Sequence, residues 1–182
     1  MGLLLRAKSA SVVLLLLLTA TPGSLAGQLS SNDSGHIYCR QGMWFNVGLG
    51  TGIGNGIGGQ SANLALGWAP SPRLLLAVGS SDWRSGLGDR NSVTLGTLDA
   101  RMQFYPEENG GFFLTGGLGL GYFWLSDSGT GPDVGRAIIL GLGYDARIRE
   151  NTSITFFVNR ASIHTPDPRG SMGQIGVGLT FH

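Results

Sequence analysis

The strongest polar signal in the chain is a pair of matching triplets, Asp99-Ala100-Arg101 and Asp145-Ala146-Arg147. Residues two apart share one face of a strand, so each triplet turns an acid and a base the same way, just before a short turn. Four such groups enclosed in a protein are tolerable only when they pair and hydrogen-bond. The chemistry they predict is a structural ion network, Asp99, Arg101, Asp145 and Arg147, with a gate or ion path as the functional alternative. Ser162-Ile163-His164 places a serine hydroxyl and an imidazole on one strand face, the raw material of a nucleophile and its base. No carboxylate in that stretch stands as third member, and Thr165 and Pro166 follow at once. Gly54-Asn-Gly56-Ile-Gly58-Gly59 has the GxGxxG spacing, but a dinucleotide site needs a following helix, and Gln60 to Ala69 reads as a strand. His36, His164 and His182 are too scattered for a metal set, and Cys39, the only cysteine, cannot close an intrachain disulfide. No catalytic, cofactor-binding or metal site is expected.

Composition narrows the class. Of 182 residues, 32 are glycine and only 13% are charged, with a net charge of +1. A disordered chain needs high charge and few aromatics. A nucleic-acid binder shows a basic excess or patch, and collagen a glycine at every third position. None of these fits. At the N-terminus, Arg6 and Lys8 precede the apolar run Ala10–Ala20 and the small-x-small ending Ser24-Leu25-Ala26, the order of a secretory signal peptide. The run is shorter than the roughly 20 residues of a spanning helix. Residues 1–26 are therefore expected to be a cleaved signal peptide, and 27–42, with Cys39 as an unpaired bystander, a flexible periplasmic lead-in. No later stretch is apolar for long enough to form a transmembrane helix. A membrane location for the exported chain therefore requires a closed barrel.

Residues 43–182 alternate with period two. Ile138, Leu140, Leu142, Tyr144, Ala146 and Ile148 share one face, against Gly141, Gly143, Asp145 and Arg147 on the other. Strands are expected near 43–52, 61–69, 74–84, 92–105, 111–125, 134–148, 152–162 and 171–182. Val93 and Leu95 fall out of phase with Leu98, Ala100, Met102 and Phe104, which predicts a bulge near Gly96. Short turns at 70–72, 106–110 and 149–151 alternate with longer connections at 54–60, 85–91, 126–133 and 163–170, the asymmetry of outer-membrane barrels. The larger apolar face suits lipid, and the glycine-, threonine- and asparagine-rich face suits a narrow lumen that holds little beyond its own side chains. Glycines there make room for Phe113 and Phe157. Trp44, Phe45, Trp68, Trp83, Phe104, Tyr105, Phe112, Trp124 and Phe181 are expected to form interface girdles.

On these strands, and on the final Gln174-Ile-Gly-Val-Gly-Leu-Thr-Phe181, the chain resembles the small outer-membrane β-barrel proteins of bacteria, the OmpA-like, OmpX-like and OmpW-like eight-stranded group. The resemblance implies an all-β, eight-stranded antiparallel up-and-down transmembrane β-barrel in the bacterial outer membrane, with both termini on the periplasmic side. It implies contact with outer-membrane lipid and lipopolysaccharide, and an assembly signal at Phe181 read by the outer-membrane assembly machinery. That family usually ends on the aromatic itself, whereas His182 follows here. The expected role is structural or surface-interacting, without catalysis, cofactor or nucleic acid; oligomeric state stays open. The alternatives are a narrow conduit for small or apolar solutes and a lipid A deacylase-like enzyme. The deacylase family places histidine two residues before serine, the reverse of Ser162 and His164.

Overall fold

The computed structural model describes residues 40–86, 92–125, 131–165 and 170–182. The expected signal peptide, most of the lead-in with His36 and Cys39, and the tips of three connections lie outside the described residues. Eight strands follow one another: β1 Gly42–Gly54, β2 Ile57–Ser71, β3 Leu74–Arg84, β4 Val93–Phe104, β5 Phe112–Leu125, β6 Asp133–Arg149, β7 Thr152–His164 and β8 Gly170–Phe181. Each pairs antiparallel with its neighbour in sequence, and β1 pairs with β8 to close the barrel. Closure leaves no sheet edge, so the backbone of the wall satisfies its own hydrogen bonds and can stand in hydrocarbon.

The period-two pattern sorts side chains to two sides of this wall. Leu140 is 64% exposed and the adjacent Ile139 2%. Leu49, Leu66, Val78, Leu98, Leu118, Phe156 and Val177 likewise project outward, so every strand contributes large apolar residues to the exterior. Soluble proteins rarely expose contiguous apolar patches beyond a few hundred Å². An apolar surface that encircles the molecule is a lipid-facing one.

Three short connections, at 72–73, 105–111 and 150–151, lie at the same end as the start of β1 and the end of β8; this is the turn end. The connections at 55–56, 85–92, 126–132 and 165–169 define the loop end. The first of these is shorter than expected. The β1–β2 ladder continues to Gly54↔Ile57 and turns on Asn55 and Gly56 alone, with φ of 48° and 84°. Positive φ at both central residues makes a two-residue primed turn, for which Asn-Gly is the strongest sequence signal. The flanking glycines belong to the strands. Asn55 also ties the hairpin to β8: its N–H donates to the Ser171 carbonyl (3.0 Å) and its Oδ1 accepts from the Ser171 N–H (2.9 Å).

The bulge expected near Gly96 is absent: β4 pairs with β3 and β5 without a register shift. Leu95 instead points into the lumen, fully buried. Gly96 faces outward beneath the ring of Tyr122, which a Cβ would overlap, and the Tyr122 hydroxyl donates to Asp82. The change of phase marks apolar residues moving inside, not a kink. The irregularities that do occur adjoin turns, between Trp68 and Ser71 and between Arg147 and Arg149.

Three expected girdle aromatics are also lumen residues: Trp44, Trp83 and Tyr105 are buried. Adjacent strand residues face opposite ways, so Trp44 and Phe45, or Phe104 and Tyr105, cannot both face lipid. Phe45, Trp68, Phe104, Phe112, Trp124 and Phe181 keep the outward side, joined by Tyr144 and Phe156.

The lumen is solid and layered, not uniformly polar. At the loop end Trp83, Leu95, Phe123, Ala137, Ile139, Ala161, Ile163 and Met172 form one apolar cluster. At the turn end Trp44, Ala65, Ala69, Leu75, Tyr105 and Phe113 form another. Polar side chains fill the space between.

Candidate functional site

The polar layer is built from inward positions on adjacent strands. Asp99 and Arg101, two apart on β4, chelate: Arg101 Nε donates to Asp99 Oδ1 at 2.7 Å and Nη2 to Oδ2 at 2.8 Å. Thr97 Oγ1 donates to Oδ2 of the same carboxylate (3.1 Å), and Arg101 Nη2 also reaches Ser81 Oγ (3.2 Å). Both side chains are almost wholly buried, at 4% and 0% exposure. Their room comes from glycine on each side. The guanidinium lies over Gly79, where a Cβ would collide with it, and Gly117 and Gly119 make way for Asp99.

Asp145 has different company. Its Oδ2 accepts from the Tyr105 hydroxyl and its Oδ1 from Thr155 Oγ1, both at 2.6 Å. Because the Thr155 proton is spent on Asp145, Thr180 must donate to Thr155 (2.5 Å). Thr180 in turn accepts from Asn46 Nδ2 at 2.7 Å. A directed chain therefore runs from β1 through β8 and β7 to the Asp145 carboxylate on β6. Arg40 covers its end, its guanidinium 3.8 Å from the Tyr105 ring centroid, and donates to the carbonyls of Glu108 (3.0 Å) and Gly110. Arg147 donates to the carbonyls of Arg149 (3.1 Å) and Glu150 (3.0 Å) at the rim of the turn end. Of the four expected charges, Asp99 and Arg101 form a direct bidentate pair. Asp145 is held by hydroxyls that no spacing rule singled out. Alternation from Phe104 would have flagged Tyr105; Arg40 precedes the strands and carries no periodic signal.

Among Asn46, Asn63, Arg101, Thr115, Thr155 and Asn159 lies a cavity of about 10 Å³, room for about one water. Phe113 and Phe157 fill the glycine-thinned space, as their neighbours predict.

At the end of β8, Phe181 faces outward and stacks with Phe45 across the β1–β8 seam, ring centroids 6.3 Å apart. The His182 N–H donates to the Asn151 carbonyl (3.0 Å). Burial, with the Arg40 and Arg147 cations nearby, holds the imidazole down at about 4 against its ordinary 6.5. His182 is neutral at pH 7. Between pH 6.5 and 4 the unfolded chain takes up a proton that the folded one refuses, so stability from this group is full above 6.5 and is lost as pH falls through that window. An NMR titration is expected to place the His182 midpoint near 4 and to move it upward in Arg147→Gln; a midpoint near 6.5 would contradict this burial.

Ser162 and His164 lie outside the lumen, both on the outward face of β7. The residue opposite His164 across the ladder is Arg136, and Ile138 stands opposite Ser162. Among the described residues, no group of three or more His, Cys, Asp or Glu is placed to hold a metal.

A closed eight-stranded wall, apolar outside and packed with hydrogen-bonded polar groups inside, defines a transmembrane β-barrel. No protein-family model and no curated protein sequence matches the chain. Among solved structures, Neisserial surface protein A aligns with a TM-score of 0.62 at 12% identity, covering 76% of this chain and 96% of its own. Ail, the attachment invasion locus protein of Yersinia pestis, aligns with a TM-score of 0.58 at 15% identity, covering 78% and 99%. The chain has the fold of the small bacterial outer-membrane barrels.

Proposed function

We propose that the protein is an integral barrel of the bacterial outer membrane with a structural or surface-interaction role and no catalysis. Its termini and short turns face the periplasm, and its loop end faces outward. The observation that carries this reading is the pairing of an apolar exterior with a filled lumen. Wide pores need about 16 strands, and a lumen with room for about one water among its polar residues, and with apolar clusters packed toward both ends, speaks against a solute conduit. Across the β6–β7 ladder Ser162 faces an isoleucine and His164 an arginine, not a carboxylate, which gives no support to acyl transfer. The partners proposed are the surrounding lipid and lipopolysaccharide, and the assembly machinery at Phe181. Electrophoresis of the membrane fraction in SDS, with and without boiling, tests the reading. The expected result is an outer-membrane protein whose unboiled band migrates differently from the boiled one. An unshifted band recovered from the soluble periplasm would overturn it.

A further inference from the structure

We infer that Arg136, Arg160 and His164 form a binding site on the outer wall for the phosphate head group of an outer-leaflet lipid. This rests on the membrane reading above. All three are exposed, and all three point away from the lumen at the loop end of β6 and β7. Arg136 pairs across the ladder with His164, Arg160 with Leu140 on one side and Gly173 on the other, and Ser162 stands between the two. The cluster is therefore continuous over two neighbouring strands.

Five of the described arginines are engaged elsewhere, and Arg149 lies apart from this cluster, at the turn end of β6. Arg73 meets Glu108 at 3.1 Å, Arg84 donates to Ser92 at 3.2 Å, Arg101 chelates Asp99, and Arg40 and Arg147 donate to backbone carbonyls. Arg136 and Arg160 have no hydrogen-bond or ion-pair partner among the described residues. They stand at the border of the apolar belt, beside Ile138, Leu140, Val158 and Ile175. A cation left against hydrocarbon is costly, and basic residues at a membrane surface are satisfied by anionic lipid head groups. The ground beside them is low: Ser171 and Gly173 are small, and the place a Gly173 Cβ would occupy is open. A phosphate can approach the guanidiniums there while its acyl chains lie on the belt below. The acidic side chain on the outward face of β3, Asp82, is already engaged by Tyr122 and Ser80, so it does not neutralise these cations.

The test is a native mass-spectrometric titration of the full chain, refolded in neutral detergent, with bisphosphorylated lipid A. The expected result is saturable binding, weakened about 30-fold in R136Q/R160Q if each arginine supplies its ordinary surface share. R84Q, elsewhere on the wall, is expected to bind like the parent, and the same lipid stripped of phosphate to bind as weakly as the double variant does. Unchanged affinity in R136Q/R160Q, or equal affinity for the phosphate-free lipid, would overturn the site. Displacement by millimolar inorganic phosphate would also overturn it, in favour of a free-anion site. If the double variant does not refold, Arg160→Gln alone decides, with an expected loss of about fivefold. A parent chain showing no heat-dependent mobility would refute the membrane reading itself, a failure distinct from that of the site.

Discussion

Replacing Arg101 with alanine is expected to destabilise the barrel by about 3–5 kcal/mol, the usual cost of stripping one partner from a buried ion pair. The size follows from where the remaining charge would be. Asp99 is buried in the middle of a filled lumen, and after the change only the Thr97 hydroxyl would still donate to it among its present side-chain partners. Water has little room to replace the guanidinium beyond the volume the arginine itself vacates. The double change Asp99→Asn with Arg101→Met is expected to cost much less, because it leaves no unpaired charge. Urea unfolding of the refolded protein in lipid, followed by tryptophan fluorescence, reads both. An Arg101→Ala variant that unfolds at the parent's urea concentration would show that the pair contributes nothing to the fold.

The second large effect lies on the other side of the wall. Leu118 sits at the middle of β5 and is 68% exposed. If that exposure is to hydrocarbon, Leu118→Arg is expected to cost about 2–4 kcal/mol, whereas Val134→Arg, one residue into β6 at the loop end, costs about 0–1. On a water-facing surface both changes would be nearly neutral. The same unfolding assay in lipid vesicles distinguishes these cases, and near-zero costs at both positions would show that the apolar exterior faces water.

The barrel was legible in the sequence because a strand has only two sides, and a wall between lipid and a narrow lumen constrains both. Ile138 to Ile148 could be assigned from alternation alone, as could the pairing of Asp99 with Arg101, since the i, i+2 spacing places both on one face. Local patterning failed where the lumen changed its own chemistry along its length. Leu95 is as apolar as its lipid-facing neighbours, so its inward direction read as a break in phase. Only the neighbours from β3, β5, β6, β7 and β8 reveal an apolar layer there. Trp44, Trp83 and Tyr105 differ from expectation for the same reason: aromatic type suggests the interface, while parity puts them inside. Tyr105 and Thr155, which donate to Asp145, come from the connection after β4 and from β7, and no short window of sequence contains them. Asn55-Gly56 shows the converse, a strong local signal that a surrounding excess of glycine obscured.

The seam between β1 and β8 has a kinetic consequence. Seven of the eight strand pairings join neighbours along the chain and can form as successive hairpins, with little entropy lost for each. The eighth joins the two ends, Phe45 to Phe181 through Gly54 to Met172, and must wait for the rest. Until it forms, the chain is a curved ribbon with two unsatisfied rims and a greasy back, the species most prone to stick to other copies. Folding speed is therefore governed by one late ring-closing event.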